Sequence, residues 1–256
     1  MSDSLAIYLS YYTALVTLLR PAIVTVIGIG FWMALRRTRL TSDAHLTTWF
    51  AVVMPLVAWL AIIWSIAATG ALQARSAAFP LLFFALVLPV AIGLVLLMRS
   101  ARITAVVDAA SPGWLIGLQV YRVFGGNFVV LWALGGAIPG LFALPAGFGD
   151  MLVGALALPV ALYVASDAAG GRLTGVAWNI LGIADLVLAV SLGILSSPGP
   201  FQVIAHDQPN LLATTYPTVM TPAFSVPLSL ILHGLSLWQL RRRGGLHERL
   251  TFAPAK

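Results

Sequence analysis

The sequence predicts an all-α polytopic integral membrane protein, a bundle of seven transmembrane helices with its N-terminus outside and its C-terminus cytoplasmic. Three observations carry that prediction. The 256 residues are 60% hydrophobic and only 9% charged, with a mean hydropathy of +0.98, whereas a soluble domain holds roughly 25% charged residues. Apolar runs near the roughly 20 residues needed to cross a bilayer recur seven times. Positive charge gathers in alternate connections between those runs, the distribution that resists translocation and sets orientation.

A soluble fold is thereby excluded. Topology accounts for the net charge of +6 better than a nucleic-acid partner does, because the arginines sit in short runs between apolar blocks. No cysteine is present, which removes disulfides, thiolate metal sites and cysteine nucleophiles. Met1 to Leu19 lacks the basic stretch and small-residue cleavage site of a signal peptide, so it is expected to belong to the mature protein and lead into the first span.

The expected spans cover residues 8–35, 48–70, 79–98, 114–136, 150–166, 174–196 and 218–240. The first is interrupted by Arg20-Pro21. Arg20 reads as an anchor whose head reaches the outer headgroups, with the residues before it on the surface and Pro21 to Leu35 in the membrane. The second and third hold Pro55 and Pro89 and should be kinked there, as should the later spans at Pro159, Pro222 and Pro227. The fourth carries Gln119, Arg122 and Asn127. The fifth is short and follows the apolar, Pro/Gly-rich residues 137–149, which read as a partly inserted turn. That turn would deliver Asp150 to the helix start, where a carboxylate caps the first turn or answers its positive dipole. The sixth carries Asn179 and Asp185. Residues 197–217, with four prolines, form an expected outer lid bearing His206, Asp207 and Tyr216. The seventh carries His233 and ends at Arg241, so residues 1–240 form one transmembrane domain and 241–256 a basic cytoplasmic tail.

Arg36, Arg37, Arg39, Arg99, Arg102, Arg172, the tail arginines and Lys256 fall on one side of this arrangement, with Arg75 and Arg20 on the other. Trp32, Trp49, Trp114, Trp178 and Trp238 fall at the same basic ends, where an indole suits the interface. Gly125-Gly126 and Gly135-Gly136 read as points of close helix contact.

Arg122 organises the functional reading. A charge inside hydrocarbon costs roughly 2.5–3.5 kcal/mol on insertion scales and needs partners. By depth alone Arg122, Asn179, Asp185 and His233 lie within roughly 10 Å along the membrane normal, and Gln119 shares the face of Arg122. They form either a structural ion pair of Arg122 with Asp185, completed by Gln119, Asn127, Asn179 and His233, or a proton- or ion-coupled site. Against a single cluster, Asn179 and Asp185 are six residues apart, roughly 120° around a helix. A second, outer group comprises Asp150, His206, Asp207, Gln208 and Tyr216, in which Asp150 and the His206-Asp207 pair would bind a cation or activate water.

Neither His206 nor His233 stands in a metal-ligand spacing. Lys256 is the only lysine and lies outside any span, which excludes a retinal Schiff base. With His233 alone inside a span, paired axial haem ligands are missing too, and no cofactor is expected. The expected function is binding, transporting or sensing a small molecule or ion through an outward-opening polar cavity in a bacterial-type inner (plasma) membrane. The alternatives are an intramembrane enzyme acting on a lipid-like substrate through Asp150, His206 and Tyr216, and an accessory or scaffold subunit. The expected partners are the lipid bilayer and the small molecule or ion, with a homo-oligomer left open.

Overall fold

The computed structural model describes residues 3–73, 79–135 and 138–251, with the side chains of 79–80 and 244–251 left aside. The expected charges of Arg75 and Lys256 lie outside the described residues, as does that of Arg249 outside the described side chains. Every regular element among the described residues is helical, and seven helical segments are long and apolar enough to cross a membrane. They are built from α1 (Asp3–Leu35), α2 (Ser42–Ala68), α3 (Phe79–Arg99), a segment joining α5 (Trp114–Gly117) to α6 (Asn127–Ala133), then α7 (Gly140–Ala165), α8 (Gly171–Ser196) and α9 (Val226–Thr251). The short α4 (Ala101–Ala109) sits between α3 and α5. Successive long helices run in opposite senses, so Arg36 to Arg39, Arg99, Arg172 and Arg241 gather at one end, here termed the basic end.

Local chemistry sets the ends of several helices. Thr41 and Ser100 accept hydrogen bonds from the amides of Ala44 and Ile103, capping the first turns of α2 and α4. Gly170, at φ +87°, makes the left-handed turn from α7 into α8.

Several boundaries differ from expectation: α2 begins at Ser42, α9 runs on through the expected tail to Thr251, and two further differences bear on the site. The first span is one continuous helix of 33 residues, with Pro21 inside it and Arg20 buried at 4% exposure. Arg20 is an interior residue, not a headgroup anchor. The fifth is 26 residues long because Gly140 to Gly149 is already helical, Pro145 included. The expected inserted turn at 137–149 is therefore absent from its described part. A proline forfeits one backbone hydrogen bond, which neighbouring helices make tolerable inside an apolar bundle.

The fourth segment is irregular. Leu118–Gly126 forms a 3₁₀ helix between α5 and α6, and Thr221–Ser225, containing Pro222, forms a π-helical turn leading into α9. Within helices, 3₁₀ stretches often mark a hinge or a strained sequence, and π turns are frequent at functional sites.

Burial is the reverse of a soluble protein. Leu18, Leu162 and Leu173 are more than 70% exposed, while Gln119, Asn179, His233, Ser236 and Gln239 are wholly buried. An apolar surface of that extent suits lipid. Inside, α7 packs along the 3₁₀ segment and α8, and α9 packs against α3 and α8. A core of Tyr12, Val16, Leu60 and Phe224 joins α1, α2 and the π turn, with the Trp59 and Phe224 rings 4.6 Å apart. Trp178 is also buried, donating to the Val153 carbonyl at 3.1 Å, so it is not an interface tryptophan.

Candidate functional site

The three-residue repeat of a 3₁₀ helix stacks Gln119 and Arg122 on one face. α7 crosses this segment so closely that a Cβ at Gly154 would overlap the backbone of Arg122 and Val123. Small residues permit that approach. One helical turn earlier, α7 carries Asp150, which therefore meets the guanidinium directly: Arg122 Nε donates to Asp150 Oδ1 at 2.7 Å.

α8 supplies the next two partners. Arg122 Nη2 donates to Asp185 Oδ2 at 2.5 Å, and Nη1 reaches the Gly182 carbonyl at 3.3 Å. Gly182 is required here, because a Cβ would fall on the His233 ring and on Arg122 Nη1. α9 closes the ring of partners with His233 Nε2, 3.0 Å from Arg122 Nη1. Four of the five guanidinium N–H groups are thus engaged by three helices.

The same hydrogen bonds fix the state of His233. Asn179 Nδ2 donates to the Gly175 carbonyl at 2.7 Å and to Ser236 Oγ at 3.0 Å, which leaves Asn179 Oδ1 as acceptor for His233 Nδ1 at 2.9 Å. Arginine can only donate, so His233 Nε2 accepts. The imidazole is neutral and carries its proton on Nδ1.

Arg122, Asn179, Asp185 and His233 are therefore brought together by the structure, although Asn179 and Asp185 leave α8 in different directions. His233 and Arg122 are long enough to bridge the gap: Asn179 meets the imidazole, and Asp185 meets the far side of the guanidinium.

Asp150 corrects the outer grouping. It lies about three turns inside α7 and pairs with Arg122, so it neither caps a helix nor sits at the surface. His206 is exposed and Tyr216 half-buried on the connection between α8 and the π turn, and neither is hydrogen-bonded to Asp150. That connection folds back onto α8, with Ser197 Oγ donating to the Asn210 carbonyl at 3.2 Å and Asn210 Nδ2 donating to Ser196 Oγ at 3.2 Å.

Asn127 accepts from the Tyr8 hydroxyl and donates to the Phe124 carbonyl, apart from the Arg122 hydrogen bonds. Gln119 is wholly buried, and both of its amide atoms lack a partner. Gly125 and Gly126 do mark close contacts, with Asp150 and Met151, but Gly135 has open space around it.

Sequence reasoning placed Arg20 at the headgroups and so left it out of the candidate site. Its Nη2 donates to Thr221 Oγ1 at 3.1 Å, its Nε is buried without a partner, and among the described residues it makes no ion pair. The signal was the apolar run on both sides of it, the same feature that singled out Arg122.

Two cavities meet at Asp150. An apolar chamber of about 120 Å³ lies between α3, α7, α8 and the connection after α8, away from the basic end, and among the described residues Asp150 is its only charged lining residue. A polar cavity of about 40 Å³ is lined by Arg20, Arg122, Asp150, Asn127, Thr221 and Ser229 among others. A separate cleft of about 520 Å³ between α1, α2, α3 and α9 has no charged lining residue among the described residues. Among the described residues no three His, Asp or Glu side chains gather as a metal site would need.

Arg20, Arg122, Asp150 and Asp185 sum to zero charge, but the pairing is uneven. Both carboxylates sit on Arg122, and Arg20 has none.

A family model described as Domain of unknown function (DUF8737) matches residues 78–241. The matched region contains Arg122, Asp150, Asn179, Asp185 and His233 but not α1, and so not Arg20. No curated protein and no solved structure matches the chain.

Proposed function

We propose that this chain, which belongs to the DUF8737 family, is a multi-pass membrane protein that binds and moves a small molecule or ion, using the Arg122–Asp150–Asp185 group as a charge switch. The observation that carries the reading is one guanidinium shared by carboxylates from two helices, one of which also faces both cavities. A purely structural pair needs neither the second carboxylate nor the space around it. A scaffold subunit would be served by a packed interior, whereas here an apolar chamber opens beside a buried acid.

The switch follows from electrostatics. With both carboxylates ionised, Arg122 holds α7 and α8 against the 3₁₀ segment. A proton on one carboxylate, or a cation beside it, removes one ion pair and frees that helix to shift. Intramembrane acids and arginines grouped at one depth are suited to such coupling, and a ligand shifts a conformational equilibrium only by its differential affinity for the two states. The neutral His233, held by Asn179, keeps Nη1 of the guanidinium in place while the carboxylates exchange. In this reading the basic end faces the cytoplasm of a bacterial-type plasma membrane, and the apolar chamber opens outward.

The test is an acidifying pH step on proteoliposomes adsorbed to a solid-supported membrane. The wild type should give a transient charge displacement that is lost in Asp150→Asn and in Asp185→Asn, each shape-conserving, and kept in Asp108→Asn at the basic end. No displacement in the wild type, or an undiminished one in both mid-bundle variants, rejects the switch.

A further inference from the structure

Arg20 lies midway along the 33 residues of α1, is 4% exposed, and has only hydroxyls, those of Thr221 and Tyr12, as hydrogen-bond partners among the described residues. Its Nε, wholly buried, has no acceptor at all. A buried guanidinium is normally paired with a carboxylate, because desolvating an uncompensated charge is among the costliest things a fold can do. Arg122 shows what compensation looks like in this chain, and Arg20 lacks it.

The cavity beside Arg20 has the chemistry of a receptor for the missing charge. Besides the two guanidinium groups it presents the hydroxyls of Thr221, Ser225 and Ser229. The one carboxylate in its wall, Asp150, is ion-paired with Arg122 and not with Arg20. Water in this space would satisfy Nε but would leave the charge of Arg20 unanswered.

We propose that Arg20 binds a small monovalent anion, of halide or short-carboxylate size, and that this binding draws one proton onto the Asp150–Asp185 pair. Volume sets the scale: a cavity of about 40 Å³ holds only a few water-sized groups and suits an ion the size of chloride or formate better than a sugar phosphate or a nucleotide. Charge sets the coupling. The four buried ions sum to zero without a ligand, so an added anion leaves the interior at −1 unless a proton accompanies it. Tyr12, Tyr121 and Tyr216 around Arg20 already carry their protons as neutral phenols, and both ring nitrogens of His233 are hydrogen-bonded, so the two carboxylates contesting Arg122 are the ones to receive it. The linkage is reciprocal: acidification tightens the anion, and the anion raises the proton affinity of the pair. The proton half rests on the switch proposed above, while the anion half stands on Arg20 alone.

The experiment uses the full chain in non-ionic detergent with gluconate, too large for the cavity, as the reference anion. Thermal-unfolding midpoints are measured while chloride, formate or sulfate replaces gluconate at constant ionic strength. Chloride and formate should raise the midpoint saturably, as a ligand of the folded state does, and sulfate should not. Arg20→Gln should abolish the rise. Should that variant fail to fold, Thr221→Val removes the hydroxyl beside Arg20 and should weaken the apparent affinity by about tenfold, the effect of one lost hydrogen bond to a charged group. In weakly buffered solution with a pH dye, chloride should take up about one proton per wild-type chain, as the charge linkage requires, and none in Asp150→Asn.

No saturable rise with either monovalent anion, or an unchanged one in Arg20→Gln or Thr221→Val, overturns the anion site. An anion-dependent rise without proton uptake overturns the coupling and leaves Arg20 as the site. Charge displacement on a pH step with no anion dependence sustains the switch while refuting this inference, so the two failures are distinguishable.

Discussion

Two arginine–aspartate contacts in this chain use the same groups in opposite settings. At the basic end Arg242 grips Asp108 with two parallel hydrogen bonds, Nε to Oδ1 at 2.9 Å and Nη2 to Oδ2 at 2.6 Å, with both side chains about one-third exposed. At mid-bundle Arg122 divides its donors between Asp150 and Asp185 with its own side chain 2% exposed. The exposed pair has the geometry usually credited with strength. Its surroundings remove most of that strength, because water and salt screen it and long side chains must be held still. The buried group has a less regular geometry and far more at stake, since any partner it loses leaves a charge without solvent. Setting, more than fork geometry, decides which contact the fold depends on.

Removing the buried cation should expose that difference most sharply. Arg122→Leu strands two carboxylates and should lower stability by roughly 3–5 kcal/mol, the usual consequence of breaking a buried pair from one side. Unfolding in mixed micelles of a mild detergent and SDS measures it. Adding Asp150→Asn and Asp185→Asn to Arg122→Leu should recover much of the loss, because no buried charge then remains of the group. A single variant as stable as the wild type would mean that water already solvates the site.

The close approach that makes the buried group can be broken without touching a charge. Gly182→Ala places a methyl group against the His233 ring and Arg122 Nη1 and must push α8 away from α9. Overpacking of this kind costs about 1–3 kcal/mol. On the same helix, Gly193→Ala meets only the Phe142 ring at 3.5 Å, an ordinary contact, and should be neutral or slightly stabilising. Equal effects of the two would show that α8 is free to adjust and that the site does not set the packing.

Much of this was legible in the sequence. The seven apolar segments follow from length and hydropathy alone, and the depth argument grouped Arg122, Asn179, Asp185 and His233 because helical rise converts position into height. Azimuth was not legible in the same way. The six-residue separation of Asn179 and Asp185 argued against a shared partner, yet a guanidinium and an imidazole span several ångströms and reach both. Asp150 and Arg20 were misplaced for a common reason. The Pro/Gly-rich residues before Asp150 and the Arg-Pro step in α1 carry turn signals calibrated on soluble proteins, while helices surrounded by apolar partners accept Pro and Gly. The 3₁₀ form of Leu118–Gly126 left no comparable trace in the composition.

The exposed pair should yield the smallest effect and completes the contrast. Arg242 also lies over the Trp238 ring, 5.5 Å from its centroid, and its neighbour Arg243 donates to the Ala110 carbonyl at 2.7 Å. These contacts tie α9 to the end of α4, as does Gln239 Nε2, which donates to the carbonyls of Val107 and Ala110 at 2.6 and 3.1 Å. With that buried amide in place, α4 does not rely on the ion pair. Arg242→Ala should therefore cost no more than about 1 kcal/mol in the same micelle titration, and the cost should shrink further as salt is raised. A loss comparable to that of Arg122→Leu would show that α4 is held by charge and that the basic end is part of the cooperative core.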